Sequence, residues 1–122
     1  MKKILALLVS FAAFLGCNGQ AAYKSVDVAA FAEAISNSNV QLVDARTASE
    51  YAEGHIPGAV NIPNESIGST NLSQLPDQKQ KLLVYCRSGN RSKQAAEKLA
   101  ALGYLNVYEF GGINTWNGEI EK

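Results

Sequence analysis

At 122 residues the chain has room for one domain. Apolar residues make up 47% and charged residues 18%, a globular balance that excludes a disordered chain. The formal charge is +0 and no basic stripe occurs, so nothing in the chain asks for nucleic acid.

Lys2 and Lys3 precede an apolar stretch from Ile4 to Leu15, followed by Gly16 and Cys17. A positive start and an apolar core too short to span a bilayer as a mature helix read as a secretory signal over residues 1–16. The Phe14-Leu15-Gly16-Cys17 end resembles a bacterial lipobox, with Phe14 and Leu15 looser choices than usual. Cys17 is then the lipidated first residue of the mature chain. Ordinary cleavage near Gly19-Gln20-Ala21 is the alternative. Either way the protein is expected to be exported to the periplasm, and with lipidation to sit on the cell membrane or outer membrane. Loss of Lys2 and Lys3 turns 11 basic residues against 11 acidic into a small acidic excess.

Residues 17–24 read as a tether and 25–122 as the folded domain. Asp27 is placed to cap a helix through Val28, Phe31, Ala32 and Ile35, spaced by three and four. Asn37-Ser38-Asn39 breaks it. Val40 to Val43 is a buried strand ending at Asp44. Thr47-Ala48-Ser49-Glu50 is a capping box that opens a short helix through Tyr51 and Ala52, stopped by Gly54. His55-Ile56-Pro57-Gly58 is a turn, and Ala59 to Ile62 a short strand closed by Pro63. Asn64 to Gln80 is polar and irregular, with one helical turn expected around Leu72 and Leu75. Lys81 to Tyr85 is a central strand. The next helix uses Ala95, Ala96, Leu99, Ala100 and Leu102 and ends at Gly103. Asn106 to Phe110 is the last strand, and Gly111-Gly112 turns into a short segment holding Trp116. This alternation predicts an α/β fold with a mostly parallel sheet and helices on both faces. Ligands of such sheets sit at the carboxyl ends of the strands, where Asp44 and Cys86 both fall.

There are 2 Cys. With lipid on Cys17, Cys86 has no disulfide partner, and a lone thiol in an oxidising compartment needs a task. Free Cys is often simply buried and inert. The neighbours of Cys86, however, are Arg87-Ser88-Gly89-Asn90-Arg91-Ser92, not apolar packing residues. A strand end, a tight loop of N–H donors and a helix start all favour an anion at this point. A free thiol is only about 3% thiolate at pH 7. Arg87 and Arg91 add positive charge that cannot be lost, Gly89 permits the turn, and Ser92 is placed to cap the helix.

Such a loop suits phosphoryl transfer or sulfur transfer. Cysteine-dependent phosphatases need an Arg six positions after the Cys; here that position is Ser92, and Arg91 is five away. Most of those enzymes also carry His before the nucleophile, where this chain has Tyr85. The short loop better matches a terminal sulfur or a thiosulfate-like group.

Leu42-Val43-Asp44-Ala45-Arg46, Glu50-Tyr51 and Glu53 through Pro63 supply a first set of motifs. Val84 through Ser92, Gly103-Tyr104 and Gly111-Gly112 with Trp116 follow in order. Together they resemble a single-domain rhodanese, a sulfurtransferase, from about Tyr23 onward. The resemblance implies a five-stranded, mostly parallel sheet flanked by helices. It implies that Cys86 takes a sulfane sulfur from a donor, becomes a persulfide, and yields it to a thiophilic acceptor such as cyanide or a thiol. The N–H groups from Arg87 to Ser92 would stabilise the negative sulfur. Family members that prefer thiosulfate tend to place Lys at Ser88 and a basic residue at Glu50, so thiosulfate is expected to be a poor donor beside a polysulfide or persulfide. A non-enzymatic sulfur carrier or persulfide sensor would carry the same loop. An arsenate- or phosphate-directed enzyme is the more distant alternative.

His55, the only His, is read as scaffold, because a preformed thiolate needs no base. Asp44 is expected to bond local backbone and Arg46, and Arg46 to pair with Glu50 or Glu53; both support the site. Trp116 and Tyr104 are expected in the core. No Cys or His cluster calls for a metal, and nothing calls for a cofactor.

Overall fold

The computed structural model describes residues 23–36, 39–68 and 72–122. The leader, Cys17 and the Asn37-Ser38 break lie outside the described residues.

Five strands form one sheet in the order β1-β5-β4-β2-β3, every pair parallel. They are β1 (Tyr23–Ser25), β2 (Val40–Asp44), β3 (Val60–Asn61), β4 (Lys81–Cys86) and β5 (Val107–Gly112). Three helices connect them: α1 (Val28–Ile35), α2 (Ala48–Glu53) and α3 (Asn90–Ala101). The strand after β2 lies on one side of it, and the strand after β4 lies on the opposite side. The chain therefore reverses direction between the carboxyl ends of β2 and β4, where a crevice opens in folds of this kind.

Period-two alternation in β4 feeds both faces of the sheet. Leu82 and Val84 pack with Val43, Val107 and the α3 residues Ala95, Ala96 and Leu99. Leu83 and Tyr85 pack on the other face with Leu42, Ile56, Phe31 and Phe110. Phe31 is the one buried residue of α1, and its ring stacks on Phe110 with centroids 3.6 Å apart. Tyr104 is buried, and Trp116 packs edge-on to Phe31 at the rim of the second core.

Local signals set the helix starts. The Asp27 carboxylate accepts the Ala30 N–H at 2.8 Å. Thr47 and Glu50 form a reciprocal capping box around α2. In α3 the buried positions are Ser92, Ala95, Ala96 and Leu99, one stripe of a 3.6-residue period.

Several expectations need correction. Tyr23 and Lys24 belong to β1 and not to the tether, because β1 pairs with β5 from Tyr23 onward. The helical turn around Leu72 and Leu75 reduces to a single turn bond from Leu75 N–H to Leu72 O, while a 3₁₀ turn occupies Asn64–Ser66. Gly111 and Gly112 do not turn; they continue β5, opposite Tyr85 and Cys86. The ladder absorbs Phe110 as a bulge between Glu109, opposite Val84, and Gly111, opposite Tyr85. Gly112 is required here because a Cβ would collide with the Arg87 carbonyl and lie 2.6 Å from Asn114 Oδ1.

Candidate active site

Cys86 is the last residue of the central strand, in register with Gly112. It is a free thiol with 1% of its surface exposed. Arg87, Ser88 and Gly89 close the loop, and α3 begins at Asn90. The Gly89 N–H donates to Cys86 Sγ at 3.0 Å. Gly89 holds φ at +118°, in the left-handed region that residues with a Cβ avoid. Without that turn its N–H would not face the sulfur.

Gly89 is also the N-cap of α3, and no side chain caps that end. Ser92 was expected to do so. Its hydroxyl instead lies within bonding distance of Gly89 O (3.0 Å), Glu109 Oε1 (2.9 Å) and Gly111 O (3.3 Å). A glycine at the N-cap leaves Ser92 inside the first turn, facing β5. The first N–H groups of α3 thus have no side-chain acceptor, and the positive end of the helix dipole stands beside the sulfur.

Two arginines beside the loop are paired with carboxylates. Arg91 grips Glu50 with two bonds, Nη1 to Oε1 at 2.7 Å and Nη2 to Oε2 at 3.2 Å. The Arg91 bond, aided by the Thr47 N–H and hydroxyl and opposed by burial, holds the Glu50 carboxyl at about 2. Arg46 pairs with Asp44 at 2.6 Å, as expected of Asp44, and not with Glu50 or Glu53. Asp44 sits two residues earlier at the end of β2, while Arg46 precedes α2 and so lacks the helical spacing to its acids. Asp44 also accepts the Arg46 N–H at 2.9 Å and the Tyr85 hydroxyl at 2.9 Å, and Arg46 reaches Gly54 O at 2.7 Å. Both residues are buried and bonded to one another, and with Tyr85 they brace the ends of β2 and β4. Burial raises the Tyr85 phenol pKa well above its usual range. Arg87, Ser88 and Asn90 are exposed on the loop.

His55 is buried, stacked on the Tyr51 ring at 3.7 Å, with Nδ1 on Tyr51 O and Nε2 near Glu121. Its contacts place it in the scaffold. Among the described residues no group of three His, Cys, Asp or Glu stands together to hold a metal. A groove of about 610 Å³ lies at the opposite end of the sheet, lined by Val40, Lys81 and Asn106 at the strands' amino ends.

The sequence reading missed Glu109, which is 1% exposed beside Ser92. Its signal was a lone carboxylate in the apolar alternation of Val107-Tyr108-Glu109-Phe110.

A rhodanese-like domain model matches residues 27–119, most of the chain. The protein belongs to the rhodanese-like family. Thiosulfate sulfurtransferase PspE of Escherichia coli is 35% identical over 71 residues, covering 58% of this chain and 68% of that protein. Thiosulfate sulfurtransferase GlpE of Shewanella oneidensis is 31% identical over 96 residues, covering 78% and 93%. An E. coli rhodanese solved with anions superposes with a TM-score of 0.62 at 31% identity, covering 68% of this chain and 98% of that one. The five-stranded parallel sheet with helices on both faces is the rhodanese fold.

Proposed function

We propose that this rhodanese-like protein is an exported sulfurtransferase that carries a sulfane sulfur on Cys86. The observation that carries this reading is the Gly89 N–H aimed at Cys86 Sγ at the mouth of an uncapped helix. In the first step the thiolate attacks the outer sulfur of a donor, R–S–S⁻. The new S–S bond makes the Cys86 persulfide, and the donor's own S–S bond breaks to release RS⁻. In the second step an acceptor thiolate attacks the outer sulfur of the persulfide, leaves as a new persulfide and returns Cys86 as thiolate. Charge balances in both steps, and no cofactor is needed. The loop donors face a negative sulfur throughout, which is the use of preorganised N–H groups.

The donor is best read as a polysulfide or protein persulfide. Glu50 neutralises Arg91 and Ser88 brings no charge, so Arg87 is the loop cation left to hold a sulfonate group. Thiosulfate is then a weak donor. The phosphatase reading is disfavoured, because Arg91 is committed to Glu50 and Ser92 to the protein interior. The leader with Cys17 supports export and lipid anchoring at the membrane.

Cys86→Ser is expected to abolish transfer while leaving the melting curve unchanged. Mass spectrometry of donor-treated protein should find one added sulfur on Cys86. Full activity in Cys86→Ser would overturn the mechanism. Multiple turnovers with a small thiol distinguish an enzyme from a carrier, which would transfer once.

A further inference from the structure

We infer that Glu109 is a positioning residue: through the Ser92 hydroxyl it holds Gly89 where its N–H meets the Cys86 sulfur. The inference rests on the sulfur-transfer reading above and assigns a part of its machinery that the active-site loop does not contain.

Glu109 stands in β5 and is 1% exposed. A carboxylate so deep in a sheet is costly unless its oxygens are occupied. Here Ser25 Oγ donates to Oε2 and Ser92 Oγ lies 2.9 Å from Oε1. Lys93 Nζ lies 3.6 Å from Oε2 on a side chain that is 55% exposed, a loose partner screened by water. An apolar residue would fill the position more cheaply for folding alone.

Ser92 is the hub. Its oxygen lies within bonding distance of the loop residue Gly89, the β5 residue Gly111 and the buried acid. A hydroxyl has one hydrogen for these three acceptors, and a charged acceptor takes it in preference to a carbonyl. Glu109 therefore fixes the Ser92 rotamer and pins the first turn of α3 to β5. Gly89 begins that turn and receives the Lys93 N–H at 3.3 Å. Glycine leaves a left-handed φ as readily as it enters it. The turn that aims its N–H must be held from outside, and the Glu109–Ser92 pair is placed to do so.

The test uses the full chain with Glu109→Ala, Ser92→Ala and the double variant, and Ser25→Ala as control. Sulfur transfer from a polysulfide to cyanide gives kcat and KM. The ultraviolet absorbance of the Cys86 thiolate at neutral pH, taken against Cys86→Ser, needs no donor. Each single variant is expected to lose about tenfold in kcat with KM within about twofold, below the 10²–10³ of deleting a donor outright because the N–H is misaimed, not removed. The double variant should be no worse than either single. Glu109→Gln, which keeps a neutral acceptor for Ser92, should recover most of kcat, and Ser25→Ala should lower only the melting temperature. Thiolate absorbance should fall with kcat. Losses that multiply in the double variant, or wild-type kcat and thiolate absorbance in Ser92→Ala, would overturn the inference. If Glu109→Ala does not fold, Ser92→Ala decides alone. If the wild-type chain transfers sulfur from no donor, the proposed function falls, and the absorbance comparison still decides the link.

Discussion

The closest test of the site's architecture is Gly112→Ala. Gly112 pairs with Cys86 across the β4–β5 ladder and has ordinary extended backbone, so the substitution introduces no φ strain. It introduces volume. The new Cβ would lie 2.6 Å from Asn114 Oδ1 and nearer still to the Arg87 carbonyl, both inside the 3.0 Å that Cβ atoms respect. The asparagine can swing away; the carbonyl is backbone and cannot. Either β5 or the loop must retreat by roughly 1 Å, and displacements of that size cost an active site about 10²-fold in rate. The retreat also breaks the Asn114 N–H bond to Arg87 O, now 3.3 Å. Overpacking costs about 1–3 kcal/mol and the lost bond about 1 kcal/mol. For a domain near 100 residues that lowers the melting temperature by about 8–25 °C. Gly58→Ala is the control: φ is +90°, nothing lies within 4 Å of its Cβ, and it stands in the turn before β3, outside the Cys86 loop. It should lose about 1–2 kcal/mol through backbone strain and keep its rate. Circular-dichroism melts and a cyanide-acceptor assay, run below both melting temperatures, separate the two effects. A Gly112→Ala protein with a rate within twofold of wild type would refute the claim that β5 sets the position of the loop.

Glu50 gives a pH test. Its folded pKa is lowered from 4.5 to about 2, so its contribution is present above 4.5 and lost as pH falls through about 2. Wild type should out-melt Glu50→Gln by a few degrees at pH 6 and match it at pH 2, a small effect because the pair is partly exposed; a gap that widens in acid would contradict the sign. The same Glu50→Gln variant frees Arg91, so thiosulfate should gain severalfold in kcat/KM relative to a polysulfide, and an unchanged donor ratio would remove Arg91 from the account of specificity. Cys17→Ala should move the protein from the membrane fraction to the soluble periplasmic fraction, whereas continued membrane attachment would refute lipidation at that residue.

What was legible in the sequence had local causes. The capping box needs four consecutive residues, α3 shows its stripe within two turns, and β2 and β4 are short apolar runs between polar breaks. The nucleophile loop lies in one stretch of sequence. What was missed is non-local. Tyr23-Lys24-Ser25 has no pattern of its own and becomes a strand only by pairing with β5, where Ser25 meets Glu109 across 84 residues. Gly111-Gly112 reads as a turn until the Arg87 carbonyl arrives to require the missing side chain of Gly112, while Gly111 supplies a positive φ. Arg46 had two candidate partners, Asp44 two residues back and the acids of α2; the chain leaves β2 so that the guanidinium folds back onto Asp44, the bond expected from the Asp44 side. Glu109 shows in the sequence only as a lone carboxylate in an apolar run; the partners that give it a role come from β1 and α3.

The pairing of charges bears on which donor the site accepts. Arg46 is held by Asp44, Arg91 by Glu50, and Lys93 stands near Glu109. Arg87 is exposed and has no acidic partner among the described residues. Three of the four cations in or beside the loop are thus matched by a carboxylate, and little net field extends outward to gather a dianion. Stabilisation of charge at the sulfur falls to N–H groups, which act at contact distance and favour no anion until it has entered. With Cys86 1% exposed, a donor has to approach by its terminal sulfur. On the proposed reading a persulfide or polysulfide asks for little beyond that one contact, whereas thiosulfate also carries a sulfonate for which the loop leaves only Arg87 without a carboxylate partner among the described residues. The loop, on this reading, therefore holds one sulfur atom at the Gly89 N–H better than it gathers a dianion from solution.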